Sequence, residues 1–214
     1  MTLRSAVLLF GIMLAAGAVP RAHAGAQVEE KLAPSVVAGL AKAIADFPPT
    51  TEYGKRADVR AWVDDMSQRL ASRISDAHAR HDLLVTVHYE ATRAGLDPQL
   101  VLGVIHHESG FKKYAFSIAG ARGYMQVMPF WVRQIGSSDQ NLFALRVNLR
   151  YGCTILRHYL DVERGDLYRA LGRYNGSLGR ADYPSAVLAA MNRYAPGGGA
   201  VAGVPLKLTQ STAK

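Results

Sequence analysis

Cysteine is almost missing from this chain of 214 residues. Cys153 stands alone, so no intrachain disulfide can form and core burial has to supply the stability. The residue shares a helical stripe with Leu149, Leu156 and Leu160 and reads as a small core hydrophobe. Long apolar runs are missing too: beyond the first two dozen residues no segment approaches the roughly 20 apolar residues a spanning helix needs. No zinc-ligand pattern is complete. His78 with His81, and His106 and His107 with Glu108, offer ligand-type side chains, but adjacent histidines on a helix point in different directions, and we expect no metal and no cofactor. There is no nucleic-acid motif and no internal repeat. The arginines are scattered, so a formal charge of +8 gives no reason to expect a nucleic-acid partner.

What is present begins with Met1 to Ala24. Arg4, an apolar run from Ala6 to Val19 and the ending Ala22-His23-Ala24 read as a cleavable secretory signal peptide rather than a membrane anchor, and no cysteine near that point offers a lipid attachment site. Removing Arg4 and Arg21 lowers the formal charge from +8 by 2, to +6. The expected location is periplasmic or secreted, where a basic protein suits a carboxylate-rich wall. The remaining chain, roughly 190 residues, is long enough to bury one core with an extension.

Two amphipathic stripes follow. Val36, Leu40, Ile44 and Phe47 mark a helix stopping at Pro48-Pro49, and Trp62, Met66, Leu70 and Ile74 mark a second. These are expected to pack on the rest of the chain, with an envelope protein partner as the alternative role. A third helix, from about Asp82 to Ala94, ends at Gly95.

The next helix carries the most informative residue. Asp97 is a good N-cap, Pro98 suits the first position, and Leu100, Val101, Val104 and Ile105 recur at helical spacing. Glu108 falls on that apolar stripe, and Gly110 is a plausible stop. Apolar walls and the negative end of the helix dipole both disfavour a carboxylate, so its pKa should rise and make it a proton donor near neutral pH. A glutamate swung out to water or paired with an arginine is the plainer reading. Beyond it, Gly120 and Gly123 with Ser117, Ala119 and Ala121 allow a tight turn, and Tyr124, Met125, Val127, Met128, Phe130 and Trp131 supply an apolar wall.

In order along the chain, Glu108-Ser109, Ser117, Gly120-Ala121, Gly123, Met125-Gln126 and Met128-Pro129 resemble the catalytic signature of the soluble lytic transglycosylase (SLT) family. Asn148-Leu149, Gly152, Leu156 and Tyr159 resemble its next helix, and Ala170 with Tyr174-Asn175-Gly176 resembles its tyrosine-asparagine motif. The likeness runs from about Asp82 to Tyr194. It departs from the family at Tyr124, where leucine is usual, and at Gly176-Ser177, where alanine-glycine is usual; both changes could reshape a sugar subsite.

The resemblance implies a mainly helical, lysozyme-like α+β fold with a short β-hairpin around Ser117 to Gln126 at the cleft. With the residue patterns on either side of the likeness, the chain divides into a signal peptide (1–24), a helical extension (25–81), a catalytic domain (82–195) and a C-terminal tail (196–214) that reads as flexible from its small and polar residues. The resemblance implies cleavage of the β-1,4 bond between N-acetylmuramic acid and N-acetylglucosamine of peptidoglycan strands, leaving 1,6-anhydromuramyl ends. Glu108 would be the catalytic acid and then base. Ser117 would hydrogen-bond near Glu108 or the substrate acetamide, Gln126 and Met128 would line the cleft, Tyr174 would orient the glutamate or the acetamide, and Asn175 would bind sugar or support the tyrosine. Plainer roles stand beside these: Ser117 as a turn cap, Met128 as core, Tyr174 and Asn175 as a helix end. Two other functions stay in view, a hydrolytic muramidase on the same fold and a peptidoglycan-binding protein without turnover.

Overall fold

The computed structural model describes residues 27–46 and 50–195. The expected signal peptide, the Phe47 and Pro48-Pro49 helix stop and the C-terminal tail lie outside the described residues.

The described chain is helical. Its elements are α1 (Pro34–Ala45), α2 (Thr51–Gly54), α3 (Ala57–Leu70), α4 (Ala77–Arg93), α5 (Pro98–Glu108), α6 (Pro129–Ile135), α7 (Leu145–Val162), α8 (Leu167–Asn175) and α9 (Asp182–Asn192). Both extension stripes became helices, with Ile74 just past the end of α3 but packed on the core. Helix α4 starts five residues before the expected Asp82, because Asp76 caps it by accepting from the amides of His78 and Ala79. It therefore runs unbroken from the extension into the matched segment. One hydrophobic core is shared by both, reaching from Ile44, Val59 and Met66 to Leu171 and Val187.

A buried ion pair adds to this joint. Glu90 of α4 and Arg150 of α7 have side chains with no solvent exposure; Arg150 Nε and Nη2 meet the two carboxylate oxygens at 2.5 and 2.8 Å. Arg150 Nη1 also donates to the Ala43 carbonyl of α1 at 3.3 Å, and Arg93 Nε reaches Glu90 at 3.3 Å. Cys153, one turn along α7 from Arg150, is fully buried, and burial pushes its thiol pKa up.

Two features place the region around Glu108. Helix α5 starts as its sequence dictates: Asp97 Oδ1 accepts from the Gln99 amide at 2.7 Å and Pro98 opens the first turn. It packs against α9 so closely at Gly103 that a Cβ there would lie 2.8 Å from the Val187 carbonyl oxygen. The segment between α5 and α6 is held by Asn148 of α7, whose Oδ1 accepts from the Met125 amide while its Nδ2 donates to the carbonyls of Arg122 and Leu142, each at 2.8 Å. The expected hairpin is reduced to two isolated antiparallel bridges, Phe116 with Arg122 and Arg122 with Val127. Extended pairing cannot propagate through it, because Gly120, Gly123 and Gln126 take φ of 92°, 74° and 47°.

Among the described residues no helix is long and apolar enough to cross a membrane, and no group of three or more His, Cys, Asp or Glu side chains could hold a metal ion.

Candidate active site

Glu108 ends α5, half-buried, where the apolar stripe of Val101, Val104 and Ile105 delivers it. Its Oε1 accepts from the Tyr183 hydroxyl at 2.6 Å, and Asn175 hydrogen-bonds it as well. Burial dominates its chemistry and pushes its pKa up to about 7, against the opposing pull of those two bonds. No neighbouring carboxylate is needed to explain the rise. The group can therefore be protonated in an appreciable fraction of molecules at neutral pH and still be held in one orientation. This is the state required of a proton donor that must later accept.

Asn175 closes α8, is buried, and stands beside Gly176, whose φ of 71° ends the helix. It does more than finish a helix, since it reaches the glutamate. Tyr174, next to it, is fully buried, but its hydroxyl donates to the Met125 carbonyl at 2.8 Å rather than to Glu108. Burial first, and then the nearby Glu108 charge, keep Tyr174 un-ionised. The tyrosine that touches the glutamate is Tyr183 of α9, also buried, and its ring meets that of His107 edge-on at 5.0 Å.

The remaining expected residues sit in the wall between α5 and α6. Ser117 caps its own turn: its Oγ accepts from the Ala121 amide at 3.0 Å. Gln126 is buried, with Nε2 donating to the carbonyls of Ala115 and Gly123 at 3.1 and 3.0 Å, so its amide holds the loop together. Met128 is partly buried against the core at the start of α6. The structure thus brings Asn175 directly onto Glu108, with Tyr174 as its chain neighbour, while Ser117, Gln126 and Met128 build the adjoining loop.

Two residues of this region were not expected from the sequence. Tyr183 lies at i, i+4 and i+8 with Val187 and Met191, and a polar-headed aromatic on an apolar stripe was the available signal. Gln27 carries no such mark. It precedes α1, yet it is buried, and its Oε1 accepts from Trp131 Nε1 at 2.9 Å and from the Met128 amide at 3.3 Å.

Residues 86–186 match the family model described as the transglycosylase SLT domain. A transglycosylase of Enterobacteria phage PRD1 is 34% identical over 98 residues, covering 46% of this chain and 36% of the relative. Membrane-bound lytic murein transglycosylase C of Glaesserella parasuis is 31% identical over 123 residues, 55% of this chain and 31% of the relative. The protein of the same name from Actinobacillus pleuropneumoniae is 32% identical over 116 residues, 52% and 29%. The chain spans about a third of the length of these curated relatives. Among solved structures, an inactive mutant of the lytic transglycosylase Slt from Pseudomonas aeruginosa aligns over 77% of this chain and 37% of its own, at 22% identity and a TM-score of 0.47.

Proposed function

We propose that this chain, which belongs through residues 86–186 to the transglycosylase SLT family, is a peptidoglycan lytic transglycosylase. It cleaves the β-1,4 bond between N-acetylmuramic acid and N-acetylglucosamine and leaves 1,6-anhydromuramyl ends. The observation that carries this reading is Glu108: a carboxyl lifted to about 7 by burial and oriented by Tyr183 and Asn175. Most glycosidases work with two carboxylates, which makes the source of the second catalytic group the central question. Here the substrate supplies it.

In the first step Glu108 gives its proton to the glycosidic oxygen, the C1–O bond breaks, and the N-acetylglucosamine portion leaves as an alcohol. The muramic acid acetamide oxygen stabilises C1. In the second step the Glu108 carboxylate takes the proton of the C6 hydroxyl, O6 bonds to C1, and the acetamide is released. Glu108 ends protonated as it began and no water is consumed. Positioned acid and base groups contribute about 10²- to 10⁴-fold, so orientation of the glycan by the surrounding wall must supply much of the rest. In this scheme Ser117 hydrogen-bonds near Glu108 or the acetamide, Tyr174 orients the site from inside the core through its bond to the Met125 carbonyl, Gln126 and Met128 shape the cleft, and Asn175 holds the glutamate.

Around this centre, residues 25–81 act as a helical extension packed on the catalytic unit at 82–195, and the contact of Arg150 with Ala43 and the burial of Gln27 support that packing. An envelope partner of the extension is the alternative role. The protein works in the cell envelope, and the reading of Met1 to Ala24 as a cleaved leader makes it periplasmic or secreted.

Mass spectrometry of digested sacculi tests the reaction. Products should carry anhydro ends, lighter by one water than the reducing ends a hydrolytic muramidase would leave. Glu108→Gln should abolish cleavage and keep glycan binding, whereas a protein that only binds would show no products before or after the change. Reducing ends alone, or an unaltered digestion profile for Glu108→Gln, would overturn the assignment.

A further inference from the structure

We propose that Gln27 is a positioning residue of the active site, contributed by a segment outside the family-matched residues, and that it holds the Tyr174 side and the Met125 to Met128 wall in register with Glu108. The inference rests on the transglycosylase reading above.

A buried glutamine has two acceptor sites on its carbonyl and two donors on its nitrogen, and unused ones are costly. Gln27 is 6% exposed. Its Oε1 takes two N–H groups, Trp131 Nε1 and the Met128 backbone amide, both from the start of α6. Gln27 also lies beside Tyr174 of α8, near enough to act on its hydroxyl. Both lone pairs of Oε1 are engaged and the tyrosine proton is donated to the Met125 carbonyl at 2.8 Å, so the part of the amide turned to the tyrosine oxygen is its NH2 group. One amide therefore stands between the two sides of the wall: its oxygen is bonded at the start of α6 and its nitrogen faces Tyr174 of α8. Tyr174 passes the constraint on in two directions, to Met125 by its own bond and to Asn175 as its chain neighbour, and Asn175 reaches Glu108. Glu108 and Tyr174 are also close enough to interact electrostatically.

The segment carrying Gln27 is tied to the same two helices. Glu29 pairs with Arg133 of α6 at 3.4 Å, Glu30 pairs with Arg173 of α8 at 3.4 Å, and the Glu30 carbonyl accepts from Gln134 Nε2 at 3.1 Å. These outer contacts are exposed and weak. They guide the strap, and the buried glutamine fixes it.

Two substitutions in the full chain test the idea, with kcat and KM measured on purified glycan strands, folding followed by circular dichroism, and Glu108 titrated by carbon NMR. Gln27→Ala removes every bond. In folded protein kcat should fall at least about tenfold with KM within about threefold, since misplacing catalytic groups by a fraction of an ångström is reported in turnover. Gln27→Glu keeps the shape and both accepted bonds but puts a negatively charged oxygen in place of the amide nitrogen that faces Tyr174. It should lower kcat and move the Glu108 titration to higher pH, a change that loss of packing alone would not produce. Wild-type kcat in Gln27→Ala, or an unmoved Glu108 titration in folded Gln27→Glu, would overturn the inference; if Gln27→Ala does not fold, the glutamate variant decides. If the wild-type protein released no anhydro ends the functional reading would fall, while the titration would still judge Gln27.

Discussion

The Tyr183 hydroxyl donates to Glu108 Oε1 across 2.6 Å, joining the last residue of α5 to the second residue of α9. The bond favours the carboxylate and opposes the larger effect of burial. Tyr183→Phe should therefore raise the Glu108 pKa above about 7 and shift the pH profile of turnover to higher pH. Losing a hydrogen bond to a charged group costs about 1.5–3 kcal/mol, so kcat/KM should drop roughly 10- to 100-fold. Rate profiles of the two proteins between pH 5 and pH 9, on the order of the range an acid of this kind spans, check both statements.

Glu108 should also leave a mark on stability. Its pKa is about 7 in the folded protein against 4.5 for the ordinary group, so between those values the folded state binds more protons than the unfolded one. Stability then falls as pH rises through this window, is undiminished below it, and reaches its full loss above about 7. Glu108→Gln removes the penalty. It should stabilise the protein at pH 8 by on the order of 1–3 kcal/mol and leave it nearly unchanged at pH 4, as judged by denaturant unfolding at the two pH values.

The buried pair of Glu90 and Arg150 leads to a prediction of opposite kind. Glu90→Ala leaves the Arg150 guanidinium enclosed without its carboxylate, and breaking such a pair from one side costs about 3–5 kcal/mol. A fall of that size in unfolding free energy, with active-site titration unchanged at temperatures where the protein stays folded, is the expected outcome.

Asn148→Ala should strike the loop instead. Three 2.8 Å hydrogen bonds to Met125, Arg122 and Leu142 disappear together, leaving buried backbone groups unsatisfied. A loss of about 2–4 kcal/mol follows from typical costs per buried group. Hydrogen exchange at the Met125 amide should accelerate more than at amides in the middle of α4, and equal acceleration would argue against a local effect.

Local rules made much of this legible in the sequence. Asp97, Pro98 and the stripe through Ile105 specify α5 with its cap and put Glu108 on the buried face, because capping and periodicity act over a few residues. The ordered glycines, Met125-Gln126 and Tyr174-Asn175 point to the site through resemblance. What stayed hidden depends on chain segments that meet only in the fold. Glu90 and Arg150 are 60 positions apart, Gln27 and Trp131 are 104 apart, and Tyr183 and Glu108 are 75 apart. Nothing near Gln27 announces that its amide will be buried. The hairpin that the resemblance implies is shortened to isolated bridges for a local reason: left-handed residues at Gly120, Gly123 and Gln126 consume the length that pairing would need.

Gly103 gives the contact of α5 with α9 a wider meaning. The absence of one methyl group there sets how near the two rods can lie, five positions before Glu108 on one and, at Val187, four positions after Tyr183 on the other. The approach of Tyr183 to Glu108 thus depends in part on a steric gap elsewhere along the two helices. Filling that gap forces the two helices apart at this contact without altering a side chain beside Glu108.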